Sequence, residues 1–353
     1  MPLLPTSTGQ PRVILGLMTF GPSTKDGARI TDISVYNSVL DKFQARGYNE
    51  VDTARVYVGG EQEAFTREAR WKERGLTLAT KVKYPSADGD HVEEKVIESV
   101  EKSLKELGTD CIDILYIHAA DRATPFEQTL SALDKLHKAG KFVRLGLSNY
   151  TSFEVAEAVL LARQHGWVRP TIYQAMYNMI TRGIDAELVP ACRRYGLEIV
   201  VYNPIAGGLF SGKIKSADID PSRIEGRFGG DNPTGANYRA RYFKDSTFRA
   251  LRTIEEAVSK HDGLSLIETA LRWTVHHSAL KVKDGNDGVI IGISSLEQLD
   301  GNLDNLEKGP LPDDVVEAID RAWLITKAEA PNYWHKDLVY KYDTVQALFS
   351  PKK

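Results

Sequence analysis

The stretch CIDILYIH, Cys111–His118, is an apolar run that ends on an ionisable residue. It is rich in Ile and Leu and does not alternate strictly between apolar and polar residues, which is typical of a strand buried on both faces. Seven further runs of this type occur along the chain: RVILGLM, NEVDTA, LTLATKV, FVRLGLSN, TIYQAMYN, LEIVVYNP and GVIIGISS. The chain is therefore predicted to contain eight strands, most of them buried on both faces.

Helical patterns occupy the sequence between these runs. Residues 31–47 begin with a Thr-Asp cap, and residues 91–108 place apolar residues on one face before a Gly stop. Further helices are predicted over residues 125–140, 152–166, 184–196, 246–260 and 264–278. A strand–helix repeat of roughly 30 residues, found eight times, predicts an α/β protein with a (β/α)8 TIM barrel. The alternative is an open doubly wound sheet, which usually carries G-x-G-x-x-G after its first strand, whereas this chain has ILGLMTFG there.

Length and composition indicate a soluble globular protein. The chain has 353 residues and a net charge of −3, and we predict one domain over residues 1–353, with two ordinary domains as the alternative. The near-neutral charge gives no electrostatic reason to expect nucleic acid or a membrane as partner. No apolar run reaches the roughly 20 residues that span a bilayer. The termini, MPLLPTSTGQPR and LFSPKK, show no signal peptide and no sorting or lipidation signal, so a cytoplasmic location is expected.

Cysteine and metal chemistry are not expected to carry the function. Cys111 lies in an apolar run and Cys192 in a helical pattern, so both are predicted to be buried free thiols. His276 and His277 have no ligand partners at metal spacing, so no metal site is predicted.

Residues 206–245 interrupt the strand–helix repeat. The segment is rich in Gly, Asn, Asp, Arg and aromatic residues and contains no convincing strand. A loop of this length is usually functional or disordered, and its aromatic residues argue against disorder. Because it follows the seventh predicted strand, we expect it to lie over the mouth of the barrel and to close over a bound cofactor. Residues 327–353 are expected to form a C-terminal tail over the barrel mouth.

Polar and ionisable residues end nearly every predicted strand, which is where the active sites of such barrels lie. They are Asp52, Lys81, His118, Ser148, Asn149, Gln174, Tyr202, Asn203, Ser294 and Ser295, with Tyr57 in the loop after the second strand. Each has an ordinary structural explanation when taken singly: a turn cap for Asp52, a solvated strand end for Lys81, a satisfied core histidine for His118. Their occurrence at successive strand ends favours a shared function.

Asp52, Tyr57, Lys81 and His118 together suit proton transfer to a carbonyl oxygen. Free tyrosine has a pKa of about 10, too high for easy proton exchange at neutral pH, and a nearby ammonium lowers that pKa. Asp52 is expected to keep Lys81 charged and in place, and His118 to hydrogen-bond and orient the substrate oxygen. The sequence thus predicts a phenol that protonates a developing alkoxide in a carbonyl reduction, with the hydride coming from a nicotinamide.

These residues resemble a known family. In the contexts VDTARVY, LATKVK and DILYIHAAD, the four residues resemble the catalytic tetrad of the aldo-keto reductases. The segments LGLSNY, YQAMYN, VYNPIAGGLFSGK and ISSLEQLDGN are similar to the cofactor-binding segments of that family, and the resemblance extends from about Ile14 to about Tyr333. EGRF followed by NYRARYFK is most similar to the aflatoxin-aldehyde reductase branch, whose members reduce aldehydes and often form dimers.

The resemblance implies a role for each matching position. Tyr57 would be the general acid and His118 would touch the substrate carbonyl, while Tyr202 would stack on the nicotinamide ring. Glycines after the seventh strand would allow close approach to the pyrophosphate, and a helix N-terminus would favour the adenosine phosphate. The implied cofactor-binding residues are Ser148, Asn149, Gln174, Tyr202, Asn203, Pro204, Gly207, Leu209, Gly212, Lys213, Arg227, Ser294, Ser295, Gln298 and Asn302. The implied substrate-binding residues are Met18, Tyr238, Arg241 and Trp334.

Two departures from the family pattern bear on cofactor and substrate. ISSLEQLDGN lacks the Lys or Arg that many relatives place against a 2′-phosphate. A preference for NADPH over NADH therefore requires that Lys213 or Arg227 supply the positive charge. The resemblance implies that Arg241 would favour aldehydes that carry a carboxylate. His335, however, stands where relatives of this branch tend to have an arginine that reaches the substrate, which argues against acid-bearing substrates. NADPH-dependent reduction of aldehydes, and of ketones as a second class, is the predicted function, with a homodimer as a possible assembly. The alternatives are a cofactor-binding regulatory subunit of the same fold and a dedicated reductase of one specialised metabolite.

Overall fold

Eight strands form a closed barrel in the order in which they occur along the chain. The computed structural model describes residues 9–230 and 233–349. The strands are β1 (Val13–Gly16), β2 (Glu50–Asp52), β3 (Thr77–Lys81), β4 (Ile112–Ile117), β5 (Phe142–Ser148), β6 (Pro170–Met176), β7 (Glu198–Tyr202) and β8 (Gly288–Gly292). Neighbouring strands pair in parallel, as β2 with β3 and β4 with β5 do. The predicted (β/α)8 barrel is therefore confirmed.

The helices follow the predicted pattern, but the described residues contain more helices than were predicted. They are α1 (Ile33–Ala45), α2 (Gln62–Glu68), α3 (Glu93–Leu107), α4 (Phe126–Lys138), α5 (Ser152–His165), α6 (Leu188–Tyr195), α7 (Pro233–Tyr242), α8 (Asp245–Val258), α9 (Leu266–His276), α10 (Leu296–Glu307), α11 (Asp313–Thr326) and α12 (Thr344–Phe349). The helices at α1, α3, α4, α5, α6, α8 and α9 were all expected from the apolar periodicity. None of the described helices is long and apolar enough to cross a membrane.

Local signals in the sequence explain where these helices start and stop. The Asp32 side chain accepts a hydrogen bond from the Ser34 backbone N–H and caps α1. Thr151 and Glu154 form a reciprocal capping box at the start of α5. Gly108 and Gly166 end α3 and α5 in the left-handed conformation that glycine adopts without strain.

The interior of the barrel is packed closely enough to dictate a glycine. In the β4–β5 pairing, Tyr116 lies opposite Gly146. A Cβ at Gly146 would come within 2.4 Å of the Tyr116 ring. The fully buried tyrosine and the glycine are therefore complementary, because any larger residue at position 146 would displace the ring.

The chain divides into two compact units. The first comprises Met1–Ile14, Ala175–Val189 and Ile199–Tyr333, and the second comprises Leu15–Gln174, Pro190–Glu198 and Trp334–Lys353. The second unit contains β2 to β5, and the first contains β7 from Ile199 onward, β8 and the segment 206–245. That residues 1–353 form a single domain stays a prediction.

The segment 206–245 has more regular structure than its sequence suggested. It contains three 3-10 turns and the ten-residue helix α7, although residues 231–232 lie outside the described part. Its aromatic residues pack together, with Phe228 stacked on Phe243 at 5.5 Å between ring centroids and edge-on to Tyr238 at 5.6 Å. This apolar cluster gives α7 a packing surface that could not be predicted from its local sequence.

The C-terminal tail is bound to loops of the second unit that follow β4 and β5. The His335 backbone N–H donates to the carbonyl oxygen of Asn149 at 3.2 Å, and Arg122 Nη1 donates to the carbonyl oxygen of His335 at 2.7 Å. Tyr340 Oη donates to Glu154 Oε1 at 2.7 Å, and Glu154 also pairs with Arg122. Residues 350–353 of the predicted tail lie outside the described residues.

One sequence expectation about the cysteines was wrong. Both thiols are free and Cys192 is buried, but Cys111 is exposed. Cys111 directly precedes β4, so it lies in the turn that enters the barrel rather than within the buried strand.

Candidate active site

A buried ion pair joins the ends of β2 and β3. Lys81 Nζ lies 2.6 Å from Asp52 Oδ2 and also donates to the carbonyl oxygen of Thr53 at 2.6 Å. The other carboxylate oxygen of Asp52 accepts from Gln174 Nε2 at 2.8 Å. Lys81 is completely buried and Asp52 is 3% exposed. The strand ends therefore hold an ammonium group in one place, with its charge balanced by a carboxylate.

Burial shifts the proton affinities of this pair toward each other. Removal from water raises the pKa of Asp52 and lowers the pKa of Lys81, because it disfavours the charged form of each. The opposite charge of the partner works against both shifts. Two opposing effects thus act on the pKa of Lys81, since burial lowers it and the pairing with Asp52 raises it.

Tyr57 is the third member of the cluster and belongs to the loop after β2. Lys81 Nζ lies 3.4 Å from Tyr57 Oη and 5.0 Å from the centroid of its ring. The Tyr57 side chain is half-buried. The phenol is therefore within hydrogen-bond reach of a cation and keeps access to the space outside the barrel interior.

His118 follows β4 and faces the same phenol. Its ring lies edge-on to Tyr57 at 6.0 Å and to Tyr84 at 5.4 Å between centroids. Burial, assisted by the positive charge of Lys81 and by His335, holds the pKa of His118 well below its usual range. The imidazole is therefore neutral at physiological pH, and its buried Nδ1 atom has no hydrogen-bond partner among the described residues.

Strained backbone is concentrated in the loops that follow the strands. Val58, Asn149, Asn203 and Ala206 have φ values of 50°, 59°, 67° and 49°. A β-branched residue such as Val58 adopts this region rarely, because its Cβ crowds the backbone. Such conformations persist only where the surroundings hold them, and they occur often at functional sites.

Three residues expected at the nicotinamide end are linked to one another in the second unit. Ser148 Oγ donates to the carbonyl oxygen of Gln174 at 3.0 Å, in line with the pairing of Ser148 and Gln174 across β5 and β6. Asn149 Nδ2 donates to Ser148 Oγ at 3.0 Å and to the carbonyl oxygen of His118 at 2.9 Å. Through Gln174 the group is also bonded to Asp52. The structure therefore joins these amide and hydroxyl groups to the tetrad.

The residues expected at the pyrophosphate belong to the first unit, directly after β7. Asn203 Nδ2 donates to Tyr242 Oη at 2.7 Å, which ties the end of β7 to α7. Gly207 has a φ of 67°, and a Cβ there would come within 2.3 Å of the Tyr238 ring, so glycine is required. Gly208 has open space where its side chain would be. Tyr202 is half-buried, Gly212 ends the turn in the left-handed conformation and Lys213 is exposed.

Two apolar residues among the predicted cofactor residues have buried side chains. Leu209 is completely inaccessible and Pro204 is buried, so only their backbone is available to a ligand. Sequence reasoning could not separate these two from their neighbours, because the segment has no regular apolar period.

The residues expected at the adenosine end form the N-terminus of α10. Ser295 Oγ accepts from the Gln298 backbone N–H at 3.3 Å, and Gln298 Oε1 accepts from the Ser294 backbone N–H at 2.9 Å. These reciprocal bonds cap the helix, while Asn302 is buried one turn further on. Their structural role is thus visible, and their role toward a cofactor stays a prediction.

The predicted substrate residues lie in two places. In the first unit, the Arg241 guanidinium group lies 5.4 Å from the Tyr238 ring centroid, and that of Arg227, a predicted cofactor residue, lies 5.7 Å from it. Both distances are typical of cation–π contact. In the second unit, Met18 follows β1 and Trp334 lies in the C-terminal tail, and both are half-buried. Their contact with a substrate stays a prediction.

Comparison with known proteins identifies the family. The model of the Aldo/keto reductase family matches residues 12–324. The chain belongs to the aldo/keto reductase family. It is 41% identical to aflatoxin B1 aldehyde reductase member 2 of Rattus norvegicus over 334 residues, covering 92% of this chain and 88% of that protein.

Two other members of the family are similar over the same extent. Aldo-keto reductase family 7 member A3 of Homo sapiens is 39% identical, covering 93% of this chain and 98% of that protein. Aldo-keto reductase pigE of Monascus ruber is 35% identical, covering 92% and 97%. The resemblance to the aflatoxin-aldehyde branch is thus confirmed, and this aldo/keto reductase is an oxidoreductase that acts on carbonyl groups.

The structure also brings residues to the site of this aldo/keto reductase that the sequence did not single out. Tyr84 lies beyond the end of β3, and its Oη atom is 3.4 Å from His335 Nδ1. The Tyr84 ring also packs edge-on against the ring of His118. Arg55 and Glu63 form a buried ion pair beside the Tyr57 loop, which we define as residues 53–61 between β2 and α2. An arginine inside VDTARVY was the available signal, since a charged residue among buried neighbours needs a partner.

Proposed function

We propose that this enzyme reduces aldehydes, and ketones as a second class, to alcohols with NADPH, and that Tyr57 supplies the proton. The observation that carries the proposal is the position of the buried Lys81 ammonium, 2.6 Å from Asp52 and 3.4 Å from Tyr57 Oη. A cation beside a phenol stabilises the phenolate, so the phenol gives up its proton more readily.

Each side chain of the tetrad has a separate task in this mechanism. The neutral imidazole of His118 donates an N–H to the carbonyl oxygen and orients it toward Tyr57. A nicotinamide, when bound, would supply the hydride that the carbonyl carbon accepts. As negative charge develops on the oxygen, the O–H bond of Tyr57 breaks and its proton goes to that oxygen, which yields the alcohol. Lys81, held by Asp52, stabilises the phenolate that remains.

The residues after β7 and β8 are suited to a dinucleotide. Gly208 faces open space in a turn of left-handed residues, so the backbone there can approach a diphosphate closely. The N-terminus of α10 provides backbone N–H groups that favour phosphate. The capping segment of α10 carries no basic residue, so we assign the preference for NADPH over NADH to Lys213 and Arg227.

Aldehydes are proposed as the main substrate class on the basis of similarity. Relatives named aflatoxin B1 aldehyde reductase share about two fifths of this sequence over most of its length. His335, held at the site by Tyr84 and Arg122, replaces a permanent cation with a titratable ring. We therefore expect no general preference for acid-bearing aldehydes, and a comparison of aromatic, carboxylate-bearing and ketone substrates measures this preference.

The assembly and location are separate proposals. We propose a cytoplasmic homodimer, in keeping with the aflatoxin-aldehyde branch to which the chain is similar. Light scattering of the purified protein gives the mass of the assembly, and fractionation of the cells that produce it gives the location.

The experiment that tests the mechanism is the substitution Tyr57→Phe. Turnover of an aldehyde with NADPH should fall by about 10²–10⁴-fold, since the proton donor is lost, while the affinity for NADPH stays within about twofold of wild type. Tyr195→Phe is the matched control, because Tyr195 ends α6 and lies far along the chain from the four residues. Unchanged turnover in Tyr57→Phe would refute Tyr57 as the proton donor.

A further inference from the structure

Arg55 and Glu63 form an ion pair that the reaction itself does not use. Arg55 is 6% exposed and Glu63 is completely buried, and the two side chains are in direct contact through Nη1 and Oε2. A buried pair of this kind is a weak source of stability, because the cost of removing two charges from water offsets their attraction. Stability alone therefore does not explain why the Arg55–Glu63 ion pair is buried at this place.

The ion pair ties together both ends of the Tyr57 loop. Arg55 stands two residues before Tyr57, and its Nη2 donates to the carbonyl oxygen of Gly60, three residues after Tyr57. Glu63 lies in the first turn of α2, immediately beyond the loop. The guanidinium group thus bonds the tip of the loop and the helix that ends it.

The same ion pair connects the loop to the strand that carries Lys81. Glu63 Oε1 accepts a hydrogen bond from Thr80 Oγ1 at 2.6 Å, and Thr80 directly precedes Lys81 in β3. The carboxylate of Glu63 also acts on Lys81 electrostatically and favours its ammonium form. Tyr57 and Lys81 are therefore linked through Arg55, Glu63 and Thr80 as well as through their own contact.

The Tyr57 loop needs such support because its backbone is strained. Directly after Tyr57, Val58 has a φ of 50°, which is strained for a β-branched residue, and Gly59 and Gly60 continue the turn at φ values of 62° and 93° that only glycine adopts readily. At Gly60 a Cβ would lie 3.0 Å from Arg55 Nη2, so the loop leaves room there only for the guanidinium group. A strained turn holds its shape only where its surroundings determine it.

We infer that the Arg55–Glu63 ion pair is a positioning device, which sets the Tyr57 hydroxyl at the distance from Lys81 that proton donation requires. The inference rests on the proposed function, in which Tyr57 donates the proton. Arg55 and Glu63 are thus positioning residues, and they touch neither substrate nor cofactor.

The test is the double substitution Arg55→Met with Glu63→Met, which removes both charges and keeps apolar bulk. We expect the thermal midpoint to stay close to wild type, because neither charge is left unpaired. The kcat for an aldehyde should fall by about 10- to 100-fold, since a small misplacement of a catalytic group has effects of this order. The KM and the affinity for NADPH should change by less than about threefold, because the binding residues are untouched.

A second readout follows the phenol directly. The ultraviolet titration of Tyr57, obtained as the difference between each protein and its Tyr57→Phe counterpart, should move to higher pH in the double variant, because the phenol lies farther from the ammonium. Arg55→Lys should give an intermediate loss of kcat, since a single ammonium cannot bond Glu63 and Gly60 as a guanidinium group does.

The matched control is Arg144→Met with Glu198→Met. These residues also form a largely buried ion pair, 2.9 Å apart, but they connect β5 to the start of β7. Removal of this pair should leave kcat and the Tyr57 titration unchanged. A double variant at positions 55 and 63 with wild-type kcat and an unmoved titration would overturn the inference. Full activity in Tyr57→Phe would instead overturn the proposed function, and the titration would still report whether the ion pair positions the phenol.

Discussion

At the scale of single residues, Lys81 is the residue on which both the stability of the site and the proposed proton transfer depend. It is completely buried, yet it is surrounded by oxygen atoms of Asp52, Thr53 and Tyr57. A buried ammonium is tolerated only when it is paired and hydrogen-bonded, so these contacts stabilise the charge on which the proposed mechanism depends. His118, in contrast, is kept neutral by its burial and by the same cation.

The substitution Lys81→Met should affect stability and turnover together. It leaves the Asp52 carboxylate buried without its cation, so we expect the free energy of unfolding at pH 7 to fall by about 3–5 kcal/mol. Turnover should fall by about 10²-fold or more, because the phenolate loses its stabilising charge. Chemical denaturation and steady-state kinetics measure the two effects.

Lys83→Met is the control for Lys81→Met. Lys83 lies two residues further along the chain, and its side chain is 48% exposed in a pair with Asp90. Asp90 is itself buried but keeps a second cation, Lys95, at 3.3 Å, and the lost partner is half-exposed. The loss should therefore cost about 0–1 kcal/mol, and stability and turnover should both stay near wild type. Equal effects of the two substitutions would contradict the role given to the buried ammonium.

At the scale of elements, the sequence predicted the strands better than the helices of the segment 206–245. The strands were predicted because residues buried on both faces leave continuous apolar runs, as CIDILYIH does in β4. The helix α7, PTGANYRARY, has Gly235 within it and no strong apolar period. It forms because Tyr238 and Tyr242 pack against Phe228, which is tertiary information that no local pattern contains.

The candidate site divides in the same way. The four tetrad residues were predictable, because a parallel barrel brings its strand ends together and each residue ends a strand or follows one. The Arg55–Glu63 pair and the contact of Tyr84 with His335 were not, since each joins residues whose meeting depends on loop and tail conformation. Long-range contacts of this type, such as position 84 with position 335, have no periodic signature.

The helix α5 contains a carboxyl group, that of Glu157, whose protonation changes near neutral pH. Burial, together with the nearby carboxylate of Glu154, raises the pKa of Glu157 to about 7. Burial, and after it the charge of Glu157, raises the pKa of Tyr342 in the tail to about 12. Because the folded protein binds this proton more tightly than the unfolded chain, the stabilisation is complete below pH 4.5 and is lost as the pH rises through about 7.

The substitution Glu157→Gln should therefore stabilise the protein in alkaline solution only. We expect the free energy of unfolding to rise by about 1–3 kcal/mol at pH 8 and to change little at pH 4.5. Denaturant titrations at a series of pH values measure the difference. Glu317→Gln, at a side chain 72% exposed on α11, should show no such trend, and a flat pH response for Glu157→Gln would refute the assignment.

At the scale of the whole molecule, cofactor binding is expected to change the behaviour of the segment 206–245. Apart from residues 231–232, the structure describes it as a series of short turns and α7, with left-handed glycines at 207, 208 and 212 and an exposed Lys213. Basic residues in a chain of short turns are suited to being ordered by a diphosphate. Binding to the folded state alone also stabilises the entire protein.

We therefore predict that NADPH protects this segment from trypsin and raises the thermal midpoint of the whole protein. At a concentration 100 times its dissociation constant, a ligand adds about 2.7 kcal/mol to the free energy of unfolding. Cleavage after Lys213, Lys215 and Arg223 should slow, while cleavage after Lys102, which lies on α3, should slow only to the extent that the whole protein is stabilised. Tyr57→Phe should be protected as wild type is, because it lacks the proton donor and not the cofactor site. Equal cleavage of the segment with and without NADPH, in the presence of a raised midpoint, would show that the cofactor binds without ordering residues 206–245.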